Sequence, residues 1–348
     1  MLNPGAVPLN KFGRSIAYVG GGIGDVVMHI GHFQTIARAS SNGKVSIACR
    51  PQAAISELFE GSDFVEDVVG LRGGLTGHSP TPFWTVVREL RAGAFDTMIF
   101  LRSSIRVMAA ARAAGIRQRI GYVRAYDPRS WLLTYRTIVP AKTENPHHLT
   151  KSDRLLNALG LPFDTATARL APTARWLEEA RPLMANRNAI AIGLNCGEED
   201  RQWGERYAEL VRRIGQNFKI DFVLYGGRDV LELARHVRTH SNLQATRFID
   251  IPEMGYSLGM SHALLNGCLA YVGNDSSGVN LAVFCGLPAI GLFAVTPPFT
   301  YSPLFVGIEP EHRERGIDGI SVDQVYDRVH EFLVRSYPQL KSSAPESN

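Results

Sequence analysis

A glycine-rich turn that also carries a carboxylate is the first stretch of the chain whose residue types could take part in catalysis or binding. Residues 20–26 read GGGIGDV and follow the apolar run IAYV. Such a turn between a strand and a helix normally binds phosphate, because backbone N–H groups and the helix dipole attract an anion there. The dinucleotide fingerprint GxGxxG would need a third glycine where this chain has Asp25, whose charge would face the pyrophosphate. The turn therefore disfavours NAD or FAD. Asp25 either stabilises the helix start or acts as a general base toward a substrate that approaches the backbone near Gly24.

A second polar cluster follows a predicted strand near the C-terminus. In VGNDSSGVNLA, residues 272–282, Asp275, Ser276 and Ser277 crowd the start of the next helix, with Asn280 one turn later. Helix capping accounts for one such residue. Several hydroxyl and N–H donors in succession favour an anion such as a diphosphate over plain capping.

Two further loops hold candidates for the same ligand. Arg201 lies in EEDRQWGERY, where it either pairs with a neighbouring acid or reaches phosphate oxygens through its planar guanidinium. Asp229 lies in LYGGRDVLE, where it either caps a helix or binds ribose hydroxyls.

Arginines are concentrated in the middle of the first half of the chain. They share that stretch with one acid, Asp127, and predict a local basic surface. They are Arg102, Arg106, Arg112, Arg117, Arg119, Arg124, Arg129 and Arg136. The formal charge of the whole chain is only +4 over 348 residues, which does not indicate a nucleic-acid-binding protein.

The elements that must position these residues alternate between strands and helices. From residue 15, short apolar segments alternate with amphipathic ones, which predicts a doubly wound parallel sheet. The first helix is predicted to run from Asp25 to Ala39. A glycine- and proline-rich loop is predicted at 70–82, and a helical and extended connector from Tyr122 to about Ala185.

The alternation restarts after the connector and predicts a second doubly wound domain. Its five strand candidates are AIAIGLN, FKIDFVLYGG, ATRFIDI, CLAYVG and LPAIGLF. The predicted architecture is an α/β fold with domains at 1–170 and 171–320, facing a cleft at the carboxyl ends of their strands. Residues 321–348 are predicted to form a helix that packs back on the first domain, followed by a disordered tail.

The composition of the chain, and the motifs that it lacks, restrict the classes of protein to which it could belong. The four cysteines are dispersed, no charged segment precedes an apolar leader at the N-terminus, and glycine and proline interrupt the longest apolar stretch. A reduced, cytoplasmic protein is expected. The sequence has no DxD, HExxH or GxxxxGK[ST] motif, so a metal-held diphosphate, a zinc hydrolase and a P-loop ATPase are unsupported.

With these residues in view, the chain resembles glycosyltransferase family 9, the ADP-heptose:lipopolysaccharide heptosyltransferases and their relatives. The likeness covers nearly the whole chain. It rests on the order and spacing of GIGDVV, LRAGAFDTMIFLRSSIRVMAAARAAGIRQRIGY, HLTKSDRLLNALGLP, DRQWGERYAELV, VLYGGRD and VGNDSSGVNLAVFCGLPAIGLF.

The resemblance implies a GT-B fold and inverting, metal-independent transfer of a heptose from an ADP-sugar, with no cofactor. It implies that the N-terminal domain binds the acceptor and the C-terminal domain the donor. By motif position Asp25 matches the proposed catalytic base. Arg201 matches a basic residue that contacts the donor phosphates. The donor-binding set is completed by Cys196, Asp229, Asp275, Ser276, Ser277 and Asn280.

An acceptor of lipopolysaccharide type is anionic and would need cations. Arg102 and Arg106 directly follow a predicted strand, and Arg124 is a further candidate. A basic surface and the loop near Phe83 and Trp84 could make peripheral contact with the inner face of the cytoplasmic membrane.

The sequence departs from the family pattern in the predicted donor pocket. Asn280 replaces a frequent histidine, Ser277 a common glycine and Gly204 a proline, and Cys196 with Gly197 stands where a hydroxyl pair is frequent. Two alternatives therefore stay open: a two-domain nucleotide-sugar epimerase, and a catalytically silent nucleotide-sugar binding protein.

Overall fold

The apolar segments of the chain form two separate six-stranded parallel sheets. The computed structural model describes residues 12–51, 53–71, 82–139, 148–161, 166–195 and 197–342. Most of the predicted loop at 70–82, Cys196 and the end of the predicted tail lie outside these residues. The chain divides into two units, Met1–Ala168 and Arg169–Asn348.

The first unit has the strand order β3-β2-β1-β4-β5-β6, with every neighbouring pair parallel. Its strands are β1 (Ser15–Tyr18), β2 (Val45–Cys49), β3 (Val65–Gly70), β4 (Thr97–Phe100), β5 (Gln118–Arg124) and β6 (Tyr135–Val139). Its helices are α1 (Ile23–Met28), α2 (Ile30–Ala39), α3 (Ala53–Phe59), α4 (Phe83–Ala92), α5 (Ile105–Ala113) and α6 (His148–Ala158). The central strands β1, β2 and β4 are buried along their whole length, as continuous apolar runs predict for a sheet covered on both faces.

Two predictions for this unit were wrong in detail. The helix predicted from Asp25 to Ala39 is divided at His29, which ends α1 and precedes α2. The predicted connector also contains sheet, because β6 pairs with β5 from Ile120↔Tyr135 to Arg124↔Val139. The alternation of apolar and polar residues along QRIGYVR and YRTIV is typical of strands near a sheet edge and was the signal that the connector prediction missed.

The second unit repeats the same strand order, here written β12-β11-β10-β7-β8-β9. Its strands are β7 (Ala189–Gly193), β8 (Asp221–Tyr225), β9 (Phe248–Asp250), β10 (Ala270–Asn274), β11 (Ala289–Leu292) and β12 (Phe305–Ile308). Its helices are α7 (Ala174–Met184), α8 (Arg206–Asn217), α9 (Leu231–His240), α10 (Ile251–Met254), α11 (Leu258–Asn266), α12 (Ser277–Phe284) and α13 (Val322–Ser336). The five predicted strands are confirmed, and β12 adds a sixth.

The last helix, α13, buries an apolar face in the second unit, and its predicted packing on the first domain stays a prediction. Val325, Val329 and Leu333 lie in the hydrophobic core of the second unit together with Leu210 and Ile214 of α8. These three residues follow a four-residue spacing, so they form one apolar stripe along α13. This apolar face of α13 packs against other residues of the second unit.

A buried histidine gives this core a predicted pH dependence. His262 on α11 is 1% exposed and contacts the carbonyl oxygen of Leu170 at 3.2 Å. Burial lowers its pKa from 6.5 to about 4. Since only the unfolded chain takes up this proton, the free energy of unfolding falls as the pH drops from 6.5 toward 4, by roughly 3 kcal/mol from this group. Urea unfolding at pH 7 and pH 4.5 should show a smaller loss for His262→Gln than for the unsubstituted protein. The exposed His240→Gln should leave the loss unchanged.

Candidate active site

Each unit carries an aspartate–arginine pair at the point where its strand order reverses. In doubly wound sheets, ligands bind beyond the carboxyl ends of the two strands that flank this point. In the first unit these strands are β1 and β4, followed by Asp25 and Arg102 respectively. In the second unit they are β7 and β10, followed by Arg201 and Asp275. The acid follows the first strand in one unit and the fourth strand in the other, so the two pairs have opposite order.

In the first pair, Asp25 is held by a guanidinium. Asp25 lies in the first turn of α1, whose N-cap residue Gly22 makes no side-chain capping bond. Its Oδ1 atom accepts a hydrogen bond from Nη1 of Arg102 at 2.8 Å. The Asp25 side chain is 22% exposed and that of Arg102 42%. Asp25 therefore does more than stabilise the helix start: its carboxylate is oriented and still partly open to solvent.

The glycine turn makes room for this carboxylate. A Cβ atom at Gly21 would lie 1.6 Å from Oδ2 of Asp25 and 2.2 Å from its Cγ atom. Gly20 has a φ of +68°, a conformation that favours glycine. The missing side chain at Gly21 thus leaves space for the Asp25 carboxylate.

Gly21→Ala is expected to lower kcat for the reaction proposed below by about 100-fold. The added methyl group must displace the Asp25 carboxylate, and a shift of about 1 Å in a reacting group costs on this order. The control is Gly43→Ala, at φ +69° with no atom within 4 Å of the added Cβ atom. It should cost about 1 kcal/mol of stability from backbone strain and leave kcat unchanged. Equal kcat for both variants in a transfer assay would contradict the steric argument.

A cationic group lies beside the first pair and includes a residue that the sequence analysis missed. Lys151 on α6 has its pKa lowered by burial first, and then by repulsion from Arg124 and Arg102. Its Nζ atom lies 6.0 Å from the ring centroid of Tyr122. Tyr122 shares β5 with Arg124, and its hydroxyl donates to the carbonyl oxygen of Leu101, the residue before Arg102, at 3.1 Å, so the three cations share one region of the first unit. The polar start of the α6 segment, HLTKSDR, was the signal that could have identified Lys151.

In the second pair, Arg201 binds two carboxylates. Its Nη1 atom donates to Oδ2 of Asp275 at 3.2 Å, and its Nη2 atom lies 2.9 Å from Oε2 of Glu198. The Nε atom of Arg201 is buried and lacks a hydrogen-bond partner among the described residues. Asp275 also accepts from Oγ1 of Thr296 at 2.6 Å. Of the two partners, Asp275 is 8% exposed and Glu198 61%, so Asp275 is the fixed one.

Hydrogen bonds to Asn274, the residue before Asp275, hold the turn in place. The side chain of Asn274 accepts from the backbone N–H of Trp203 at 3.1 Å and from the hydroxyl of Tyr207 at 2.9 Å. Trp203 is 1% exposed and is therefore a core residue. Ser276 is the N-cap of α12 and accepts from the N–H of Gly278 at 3.2 Å.

Asn280 is engaged within the same turn. Its Nδ2 atom donates to the carbonyl oxygen of Ser276 at 3.1 Å, and its Oδ1 atom accepts from the hydroxyl of Tyr301. Asn280 is 3% exposed. The asparagine thus ties the start of α12 to the segment after β11. Asn280 was predicted from the sequence as a donor contact, whereas its partner Tyr301 was not predicted.

The remaining predicted residues lie at the expected ends of their strands. Asp229 is exposed after β8, as the second residue of a short 3-10 helix whose N-cap is Gly227, so Asp229 is not the N-cap residue. Gly24 lies in α1, and Arg106 in the first turn of α5. Cys196 lies outside the described residues. Among the described residues, no three histidine, cysteine, aspartate or glutamate side chains converge as metal ligands.

Solved structures with the same architecture identify the fold class of this chain. A glycosyltransferase family 9 protein from Veillonella parvula superposes with a TM-score of 0.75 and 19% identity, over 95% of this chain and 99% of that one. The Escherichia coli ADP-heptose lipopolysaccharide heptosyltransferase II gives 0.70 and 17%, over 92% and 99%. The Escherichia coli heptosyltransferase WaaC with ADP-2-deoxy-2-fluoro heptose gives 0.69 and 16%, over 92% and 99%. The fold of this chain is the GT-B fold of these glycosyltransferases.

The sequence itself identifies the family. Residues 83–308 match glycosyltransferase family 9 (heptosyltransferase), and this match covers more than half of the chain. The chain therefore belongs to glycosyltransferase family 9. A search of curated protein sequences finds no match.

Family membership fixes the general activity. The chain is a glycosyltransferase, and its family implies a nucleotide-sugar donor and a glycan acceptor. Neither the epimerase nor the silent binding protein is favoured by this result. No described helix combines the length and apolar character needed to cross a membrane. Trp84 is 72% exposed at the start of α4, and peripheral membrane contact stays a prediction.

Proposed function

We propose that the protein transfers a heptose, or a related sugar, from an ADP-sugar to a hydroxyl of an anionic glycan in lipopolysaccharide core biosynthesis. The transfer inverts the anomeric centre and needs no metal. The observation that carries the proposal is the oriented carboxylate of Asp25, held by Arg102 at the switch point of the first unit. Family membership supports sugar transfer, and the relatives named above supply the sugar and the nucleotide by analogy.

The acid performs the proton transfer in this proposal. The carboxylate of Asp25 takes the proton of the acceptor hydroxyl while that oxygen forms a bond to the anomeric carbon. The bond from this carbon to the diphosphate oxygen breaks, and its electron pair leaves with the nucleotide diphosphate. One displacement inverts the anomeric centre. Arg102 keeps the carboxylate in place during the proton transfer.

Arg201 stabilises the departing diphosphate. Its contact with Glu198 is largely solvent-exposed, and such pairs are worth about 0 to 1 kcal/mol. A diphosphate can therefore replace Glu198 at little cost, whereas the buried Asp275 keeps the guanidinium oriented. Charge that develops on the leaving group then meets a fixed cation. The donors at the start of α12, Ser276 and Ser277, complete the anion site.

The hydrogen bonds already made within the second unit refine the donor-binding set. Both the Asp275 carboxylate and the Asn280 amide have protein partners. We therefore assign them to positioning Arg201 and the α12 turn. Asp229, exposed at the end of β8, keeps its proposed contact with ribose hydroxyls.

The cationic group of the first unit is assigned to the anionic acceptor. Changing Arg124 and Lys151 together to glutamine should raise the acceptor KM about tenfold or more and leave the donor KM within twofold, because only the acceptor loses opposite charges. Initial rates at varied acceptor and donor concentrations measure both constants. Arg117→Gln is the control, since Arg117 is 81% exposed and pairs with Asp96 at the start of β4. A rise in donor KM instead would contradict the assignment.

A thermal-shift panel of ADP-, UDP-, GDP- and dTDP-sugars tests the donor class. Binding to the folded state raises the apparent melting temperature, and the ADP-sugars should do so selectively. Stabilisation by another base alone would overturn the proposed donor. Product analysis by NMR completes the test: the transferred sugar should have the anomeric configuration opposite to that in the donor. Conversion of the donor without an acceptor would indicate an epimerase.

A further inference from the structure

A break in the helix that carries Asp25 changes how its backbone is hydrogen-bonded. In a continuous α-helix, the N–H of residue 29 would donate to the carbonyl oxygen of Asp25, four residues earlier. Here the N–H of His29 donates to the oxygen of Val26 at 3.0 Å, because α1 ends at Met28. The imidazole of the same residue takes over the missing bond, with its Nδ1 atom 2.6 Å from the carbonyl oxygen of Asp25.

The other ring nitrogen of His29 contacts a serine on α6. The Nε2 atom of His29 lies 3.3 Å from the hydroxyl of Ser152 on α6. That hydroxyl lies 3.1 Å from the carbonyl oxygen of Leu101, the residue before Arg102. His29 and Ser152 are both fully buried. The imidazole thus lies between the backbone of Asp25 and the side chain of Ser152, whose hydroxyl donates to Leu101.

We propose that His29 is a positioning residue for Asp25, acting through the hydrogen bond between its Nδ1 atom and the carbonyl oxygen of Asp25. The inference rests on the proposed role of Asp25 as the base. A carbonyl oxygen can only accept, so Nδ1 of His29 must carry a proton. This proton holds the ring on the carbonyl oxygen of Asp25, while Nε2 faces the hydroxyl oxygen of Ser152. Burial keeps water from replacing either contact.

A neighbouring histidine supplies a matched comparison. His32, on the next turn, is also buried, and its Nε2 atom lies 2.9 Å from Oδ1 of Asp153. The rings of His29 and His32 are 4.9 Å apart. The two histidines therefore contact consecutive residues of α6, Ser152 and Asp153. The ring of His29 contacts the backbone of Asp25, whereas the ring of His32 contacts the side chain of Asp153.

Substitutions that keep one ring nitrogen at a time test the proposal. An asparagine amide replaces Nδ1, and a glutamine amide replaces Nε2. His29→Asn should keep kcat within about threefold, because it can still donate to the carbonyl of Asp25. His29→Gln should lower kcat about 10- to 100-fold with the donor KM within twofold, since the carboxylate loses its support. His32→Asn should keep kcat within threefold even where its melting temperature falls as far as that of His29→Gln.

A measurement on the unsubstituted protein makes the proposal testable even if a variant fails to fold. In ¹⁵N-histidine spectra, His29 should show a proton on Nδ1. A neutral ring protonated at Nε2 alone would overturn the proposal, as would a full kcat for His29→Gln. Asp25→Asn distinguishes a failure of the proposed base from a failure of the proposed positioning role of His29. If Asp25→Asn stays active, the proposed base is wrong; if it is inactive while His29→Gln is fully active, only the positioning role is wrong.

Discussion

Asp25→Asn is expected to lower kcat by about 100- to 10,000-fold, the range over which a positioned general base contributes. The substitution is nearly isosteric. The amide oxygen of asparagine can still accept the hydrogen bond that Arg102 donates to Asp25 at 2.8 Å. The geometry is therefore retained and the capacity to take a proton is lost. Initial-rate kinetics should show the loss in kcat with the donor KM within twofold.

A second arginine-bound aspartate in the same unit provides the control. Asp96 accepts from Arg117 and from the backbone N–H of Arg14, at the opposite end of the sheet from Asp25. Asp96→Asn should lose comparable electrostatic contacts and keep kcat. If both variants lose activity in proportion to their melting temperatures, the effect of Asp25→Asn comes from stability, and the assigned base is wrong.

Arg201→Met is expected to lower kcat/KM for the donor by about 100- to 1,000-fold. Methionine keeps much of the side-chain volume and removes the cation that meets the developing charge of the diphosphate. The substitution also removes the guanidinium that binds Asp275, which is 8% exposed. That loss should cost about 1 to 3 kcal/mol of stability. Activity and urea unfolding should be measured on the same preparation.

The double variant Arg201→Met with Asp275→Asn separates these two effects. Removing the buried charge should restore most of the stability and none of the activity. Arg206→Met is a second control, since Arg206 pairs with Asp318 on the surface and should keep kcat/KM. Recovery of activity in the double variant would show that Arg201 acts only as the partner of Asp275.

The architecture could be predicted because both sheets are parallel and buried. Strands covered on both faces are continuous apolar runs, such as SIAY and AIAIG, and the segments between them follow helical periodicity. Since ligands bind at the carboxyl ends of such strands, the loops with Asp25 and Arg201 were correctly placed by the same pattern. The edge strands β6 and β12 were missed because their outward-facing residues are polar or exposed.

The pairing of residues could not be predicted, because it depends on distances between segments far apart in the chain. Arg102 was proposed as an acceptor contact from its position after β4, and the structure shows its guanidinium on Asp25, 77 residues away. Arg201 meets Asp275 across 74 residues. The break at His29 was missed for a related reason. The segment continues to satisfy helical periodicity through the break, and the bond that replaces the lost backbone contact comes from a side chain.

The most direct test of the account is the distance between Asp25 and the acceptor hydroxyl in a complex with the acceptor and a non-reactive 2-fluoro donor analogue. The account predicts that a carboxylate oxygen of Asp25 lies about 2.6 to 3.2 Å from that hydroxyl, which itself lies opposite the diphosphate at the anomeric carbon. A carboxylate more than about 5 Å from the hydroxyl, with no water between them and another base in contact, would contradict it.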